Sequence, residues 1–312
     1  MPTITIMKTV VIALGGNAIM PKGRMTIESE FSNVRKAMEY ILPGIKNNHV
    51  VVTHGNGPQV GNIMIRVEEA LGKAYPIPLS VAVAESEGEL GYIIEQSLVN
   101  LLSKKKIRKP VVSILTQVVV DKNDNAFRKP TKPVGPFYDK HDANNMKKKG
   151  LHVAFEHGKG WRRVVPSPYP KEIVESEIIR KISKDAIVIA AGGGGIPVLE
   201  TKQGFKGVDA VIDKDLASAC LAKSINADVL MILTDVPCAY ENFTAKNKKP
   251  IGKITVKQAE ALVKENHFSA GSMLPKIQAA IKFAHAGGTA IITNPQSVRK
   301  ALSGKAGTIV IK

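Results

Sequence analysis

At 312 residues, with 44% hydrophobic and 23% charged side chains, the chain is long enough to bury a large core, and its composition excludes a disordered or collagen-like protein. The formal charge of +17 raises nucleic-acid binding, yet the excess is local: 16 Lys/Arg stand against 5 Asp/Glu between Lys104 and Arg163. No RNP-like aromatic motif, zinc-finger spacing or basic helix followed by heptads accompanies it, which argues against nucleic acid and leaves solvated lysine faces or an anionic small substrate.

Cys220 and Cys238 lack CxxC spacing and read as buried packing residues of a reducing compartment. The apolar run Val10–Leu14 is too short for a membrane span or a signal segment, so a cytoplasmic location without membrane association is expected.

Apolar β-rich runs alternate with helical patterns. Thr9–Leu14 reads as a strand, followed by a helix carrying Ile27, Phe31, Val34, Met38, Ile41 and Ile45. Val50–Thr53 is the next strand; a helix with Val60, Ile63, Met64, Val67 and Leu71 and another over Val81–Leu102 lead to the strand Val111–Leu115. Between about 121 and 170 the periodicity fails and six prolines punctuate the run, which predicts a small protruding excursion. Alternation resumes with a helix over Lys171–Ser183, the strand Ala186–Ala191, a helix from Lys214, the strand Val229–Thr234, a helix from Lys276 and the strands Ala290–Thr293 and Thr308–Ile311. The order predicts an α/β fold: an open, mainly parallel central sheet with helices on both faces, plus the protruding subdomain.

Three glycine clusters are expected to follow strands and precede helices: Gly15-Gly16-Asn17, Gly55-Asn56-Gly57 and Gly192–Gly195. Such junctions free backbone N–H groups for an oxyanion and add the partial positive charge of a helix start. Neither GxxxxGK[ST] nor GxGxxG occurs, so phosphate charge must be met by lysines from elsewhere. Asp213 reads as an N-cap, which puts Lys214 in a first turn, and Pro275 reads as the first helical position with Lys276 just behind it. Each lysine then sits at the wrong end of a helix dipole, a placement costing about 0.3–1 kcal/mol unless an anion binds there. Chance placement among 44 basic residues is the alternative.

The segments Ile12-Ala-Leu-Gly-Gly-Asn-Ala-Ile19, Thr53-His-Gly-Asn-Gly-Pro-Gln-Val-Gly61, Pro130-Thr-Lys-Pro-Val-Gly-Pro136, Ala190-Ala-Gly-Gly-Gly-Gly-Ile-Pro197, Ala210-Val-Ile-Asp-Lys-Asp215 and Gly271-Ser-Met-Leu-Pro-Lys276 together resemble the carbamate kinases of the amino-acid kinase superfamily, in that family's order and over nearly the whole chain. The resemblance implies reversible phosphoryl transfer between ATP and carbamate, giving ADP and carbamoyl phosphate, with Mg²⁺ carried by the nucleotide and a homodimer as the assembly. It implies that Gly15, Gly16, Asn17, Gly55, Asn56 and Gly57 cradle the acceptor and the transferring group. Lys132 would reach in from the excursion, Lys214 and Lys276 would flank the nucleotide phosphates, and Asp215 would hold the lysines. Gly193 and Gly194 are expected on the nucleotide phosphates; Asp235, Tyr240 and Met273 are expected around ribose and adenine. Residues 1–205 would form the acceptor lobe, with the excursion of about 121–170, and 206–312 the nucleotide lobe. Glu87 stands where the family leads one to expect Gln, Pro237-Cys238 where Asp-Gly is usual, and Leu274 where Gly is. A related kinase acting on another carboxylate or a phosphorylated acceptor is the alternative, and His54 reads as a structural support of the second loop.

Overall fold

The computed structural model describes residues 7–16, 26–243, 248–269 and 271–312. Its elements run β1 (Lys8–Leu14), α1 (Ile27–Ile45), β2 (Asn48–His54), α2 (Gly57–Glu69), α3 (Leu79–Lys104), β3 (Val111–Ser113), β4 (Gln117–Val120), β5 (Lys132–Tyr138), α4 (Lys140–Lys148), β6 (Val153–Glu156), β7 (Gly160–Val165), β8 (Pro170–Ile173), α5 (Ser176–Ile182) and β9 (Ile187–Ile189). After a 3₁₀ turn at Gly192–Gly194 come β10 (Ile196–Thr201), β11 (Gly204–Gly207), α6 (Lys214–Ser224), β12 (Val229–Leu233), β13 (Tyr240–Glu241), β14 (Lys249–Pro250), β15 (Lys253–Thr255), α7 (Val256–Lys264), α8 (Met273–His285), β16 (Thr289–Thr293), α9 (Val298–Leu302) and β17 (Thr308–Ile311).

The central sheet has the order β15-β17-β16-β12-β1-β2-β9-β3. Pairings from β16 across to β3 are parallel, and only the β17 contact with β16 is antiparallel. Both faces are covered, which is why these strands read as continuous apolar runs rather than alternating ones. Along β1, Val11 and Ala13 face one core with Ala217 and Leu221 of α6 and Ala280 of α8. Val10, Ile12 and Leu14 face the other with Met38 of α1 and Leu90 and Ile94 of α3. Burying each such large aliphatic side chain contributes roughly 1.5–3 kcal/mol. The expected doubly covered α/β sheet is therefore observed.

β1 pairs with β2 on one side, reached through α1, and with β12 on the other, reached much later through α6, so the strand order reverses at β1. A crevice opens at the carboxyl ends of strands at such a switch. Gly15 stands on it: a Cβ there would lie 2.6 Å from the Leu233 carbonyl oxygen at the end of β12.

The predicted excursion contains an antiparallel sheet of order β5-β7-β6, with α4 between β5 and β6. Its root is pinned twice. Val134 and Val165 pack with Val60 of α2 and Val83 of α3, and a Cβ on Gly61 would approach the Gly135 Cα to 3.1 Å. Lys132 is paired with Val165 at this root, so its side chain leaves the arm where the arm meets the body.

Three expectations change. Lys171 does not open a helix: Pro170–Ile173 form β8, whose Ile173 is buried and pairs with Val118 of β4, and the helix begins only at Ser176. The Gly192–Gly195 cluster leads into β10, not a helix, because Ala191 and Gly193 to Gly195 all have positive φ, which no helix continues. Helix α8 starts at Met273 with Ser272 as N-cap, so Pro275 is its third residue and not its first. Proline is tolerated there because the first four helical N–H groups lack intrahelical partners.

Candidate active site

A cleft of about 250 Å³ is lined by Gly55, Asn56, Gly57, Lys132, Gly193, Asp213, Lys214, Asp215, Ser272 and Lys276. Strand β2 ends at His54 and α2 starts at Gly57, so the second glycine loop delivers Gly55 and Asn56 to the crevice. A Cβ on Gly55 would contact the Gly16 Cα at 3.6 Å and the Lys214 Cδ at 3.7 Å, which brings the first two glycine loops and a lysine together. Asn17 lies outside the described residues. Gly193 enters the cleft against the Asn56 carboxamide, whereas Gly194 turns against the Ile212 carbonyl and lines neither this cleft nor the neighbouring cavity.

The charged side chains form two linked sets. Asp213 caps α6 with Oδ1, which accepts from the N–H groups of Asp215 at 3.0 Å and Leu216 at 3.4 Å. Its Oδ2 accepts from Lys132 Nζ at 2.9 Å. Asp215, 3% exposed, holds Lys214 on Oδ1 at 2.6 Å and Lys276 on Oδ2 at 2.8 Å. Burial alone would raise the Asp215 carboxyl; the two ammonium charges overcome it and hold it at about 2. Burial lowers the Lys214 pKa, an effect that the Asp215 charge opposes. Three lysines thus converge on a cleft with two carboxylates, and the surplus positive charge is suited to a phosphoryl group.

Helix α6 is tied to the second loop by hydroxyls: Ser218 Oγ donates to the Lys214 carbonyl at 2.7 Å, so Thr53 at the end of β2 donates to Ser218 at 2.6 Å. His54 is buried, and desolvation lowers its pKa to about 4. Its Nδ1–H donates to the Gly55 carbonyl at 3.1 Å. Neutral and engaged with its own loop, it supports the loop.

A second cavity of about 290 Å³ is lined by Asp235, Tyr240 and Met273, together with Phe243, His267, Phe268 and Ser272. Ser272, the N-cap of α8, lines both cavities, so the aromatic chamber adjoins the lysine cleft across one residue. Sequence reasoning missed several members of the site. Asp213 was legible as a cap but not as the Lys132 partner, because 81 residues separate the two. Ser272 could have been found as the residue preceding the Met-Leu-Pro-Lys helix start. Phe243 and His267 lie in stretches without apolar periodicity and carried no signal.

This arrangement defines a class: glycine loops at a strand switch, facing clustered lysines beside an aromatic chamber. The family model described as the amino acid kinase family matches residues 8–294, and the chain belongs to that family. Among its relatives, the carbamate kinase of Thermococcus kodakarensis is 49% identical over 98% of this chain and 100% of its own length. Carbamate kinase 2 of Enterococcus faecalis is 43% identical over 96% and 97%. The solved carbamate kinase from Giardia lamblia bound to AMP-PNP superposes with a TM-score of 0.92, at 43% identity over 98% of this chain and 99% of that one. Within the family, the chain's place is among the carbamate kinases.

Proposed function

We propose that this chain catalyses reversible phosphoryl transfer between ATP and carbamate, giving ADP and carbamoyl phosphate. The observation that carries the reading is the buried Asp215 carboxylate gripping Lys214 and Lys276 at the floor of a cleft walled by Gly55 and Gly193. A carbamate oxygen attacks the γ-phosphorus as the bond to the bridging oxygen of ADP breaks. Carbamate is already an anion, so no general base is needed, and the protein's work is alignment and charge neutralisation. In this reading Gly15, Gly16, Asn17, Gly55, Asn56 and Gly57 hold the acceptor and the transferring group. Lys132, Lys214 and Lys276 meet the phosphoryl oxygens, and Asp215 keeps the latter two lysines in place. Gly193 borders the phosphates, with Gly194 shaping the turn behind it; Asp235, Tyr240 and Met273 receive the nucleoside in the aromatic chamber. Residues 1–205 then serve as the acceptor lobe, with the arm, and 206–312 as the nucleotide lobe.

We assign Mg²⁺ to the nucleotide, because Asp213 and Asp215 already hold lysines; bound there, it would neutralise charge on the phosphate oxygens. Among the described residues no helix is long and apolar enough to cross a membrane, and a cytoplasmic enzyme is proposed. For the homodimer, the supporting feature is an exposed stripe on α3: Val81, Tyr92 and Val99, 41%, 57% and 48% exposed, follow one another at helical spacing with the exposed Gly88 between them.

Purified protein with ADP and carbamoyl phosphate is expected to yield ATP in a coupled assay, and not with acetylglutamate- or uridylate-type substrates. Absence of turnover by folded protein would overturn the reading. Lys214→Ala should lower kcat by at least ~10²-fold, as loss of one preorganised charge contact does.

A further inference from the structure

Ser86 lies in α3 with no exposed surface and does not line the cleft. Its hydroxyl makes two hydrogen bonds: Oγ donates to the Val83 carbonyl at 2.6 Å and accepts from Asn56 Nδ2 at 2.7 Å. A hydroxyl has one proton, and a carbonyl only accepts. With the proton committed to Val83, Ser86 can meet Asn56 only as an acceptor, so Asn56 must turn its Nδ2 toward α3 and its Oδ1 away. Gly193 supplies the other wall, since a Cβ there would overlap the terminal atoms of the Asn56 carboxamide. The carboxamide therefore lies flat on the Gly193 backbone in one of its two nearly isosteric orientations.

We propose that Ser86 is a positioning residue that sets acceptor specificity: by holding the Asn56 carboxamide in this orientation, it keeps Oδ1 as the end that can accept a hydrogen bond from the amino group of carbamate. The inference rests on the reading that Asn56 touches the acceptor. The amino group is what separates carbamate from acetate, which has the same shape with a methyl in its place. A flipped carboxamide would set N–H groups against that amino group, and a site built to bond an N–H rejects an analogue without one far more strongly than a site selecting on shape.

The test is the ratio of kcat/KM for carbamoyl phosphate to that for acetyl phosphate, with ADP as co-substrate, in the wild type, Ser86→Ala, Asn56→Ala and the double variant. Ser86→Ala is expected to lower the ratio about tenfold or more through carbamoyl phosphate, with KM for ADP unchanged, and to add nothing in the Asn56→Ala background. Ser86→Cys, which keeps the volume and weakens the acceptor, should shift the ratio in the same direction if the alanine variant is unstable. Equal losses on both acyl phosphates, or a Ser86→Ala effect that persists in full without Asn56, would overturn the proposal. An unchanged ratio in Asn56→Ala would instead overturn the role of Asn56, and a wild type inert toward carbamoyl phosphate would overturn the activity itself.

Discussion

Glu87, one residue along α3 from Ser86, shows how one position can satisfy a family's chemistry with a different residue. It is 5% exposed; Oε2 accepts from the Thr116 N–H at 2.9 Å and Oε1 is buried without a partner. Desolvation pushes its carboxyl well above the ordinary 4.5, against the Thr116 hydrogen bond. A neutral carboxylic acid has nearly the shape of glutamine, the residue the carbamate kinase resemblance leads one to expect there. The linkage has a definite sign. Because the folded pKa is raised, the contribution of this group to stability is fully present below about 4.5 and is lost as pH rises toward the folded value. Glu87→Gln should therefore raise the melting temperature at neutral pH, with the gain shrinking toward pH 4.5; a pH-independent difference between the two melting curves would contradict this. Nothing in the sequence around Glu87 reports its protonation, which is set by burial among residues far along the chain.

At the level of elements, the N-terminus of α6 does two things with one side chain. Asp213 caps the helix with Oδ1 and holds the arm's Lys132 with Oδ2. Asp213→Ala should cost ~1 kcal/mol of stability through the cap, whereas Asp213→Asn, itself a good cap, should cost a few tenths and leave only the ion pair broken. Denaturant titration of both variants checks this, and equal losses would mean that the cap contributes nothing. The local features here were readable from sequence, since a cap and a first-turn lysine are properties of neighbouring residues. The same holds for the glycine loops at the ends of β1 and β2. What was not readable was the partner of each charge: Lys276 meets Asp215 across 61 residues, and that pairing is created by α6 and α8 packing side by side. The strand β8 was missed for the same reason, because its Ile173 is buried by elements distant in sequence, pairing with β4 and packing in the core with α6.

Over the whole molecule, the alternation of strands and helices was sufficient to foresee the doubly covered sheet, because both faces of β1 and β2 are apolar. The charge excess has a structural setting as well. Lys104 ends α3, and Lys147 and Lys148 end α4, where the helix dipole favours cations; Lys147 also lies 4.4 Å from the centre of the Trp161 ring. If the α3 stripe is the dimer face, Tyr92→Lys should yield a species of 33.6 kDa by light scattering, while a variant that stays dimeric would assign the contact to another surface. The Asp215 clasp bears on how the molecule must move. Of its two ion pairs, Asp215–Lys214 lies within α6 and Asp215–Lys276 joins α6 to α8 away from water, where separating charge is most costly. Sliding one helix past the other would strand an ammonium, so the floor of the cleft travels as one rigid block. The Lys132–Asp213 tether, with side chains 34% and 18% exposed, is wetter and cheaper to part. Among the described residues of the cleft, the arm is therefore the wall whose charged latch parts most cheaply, held otherwise by the valine packing at its root.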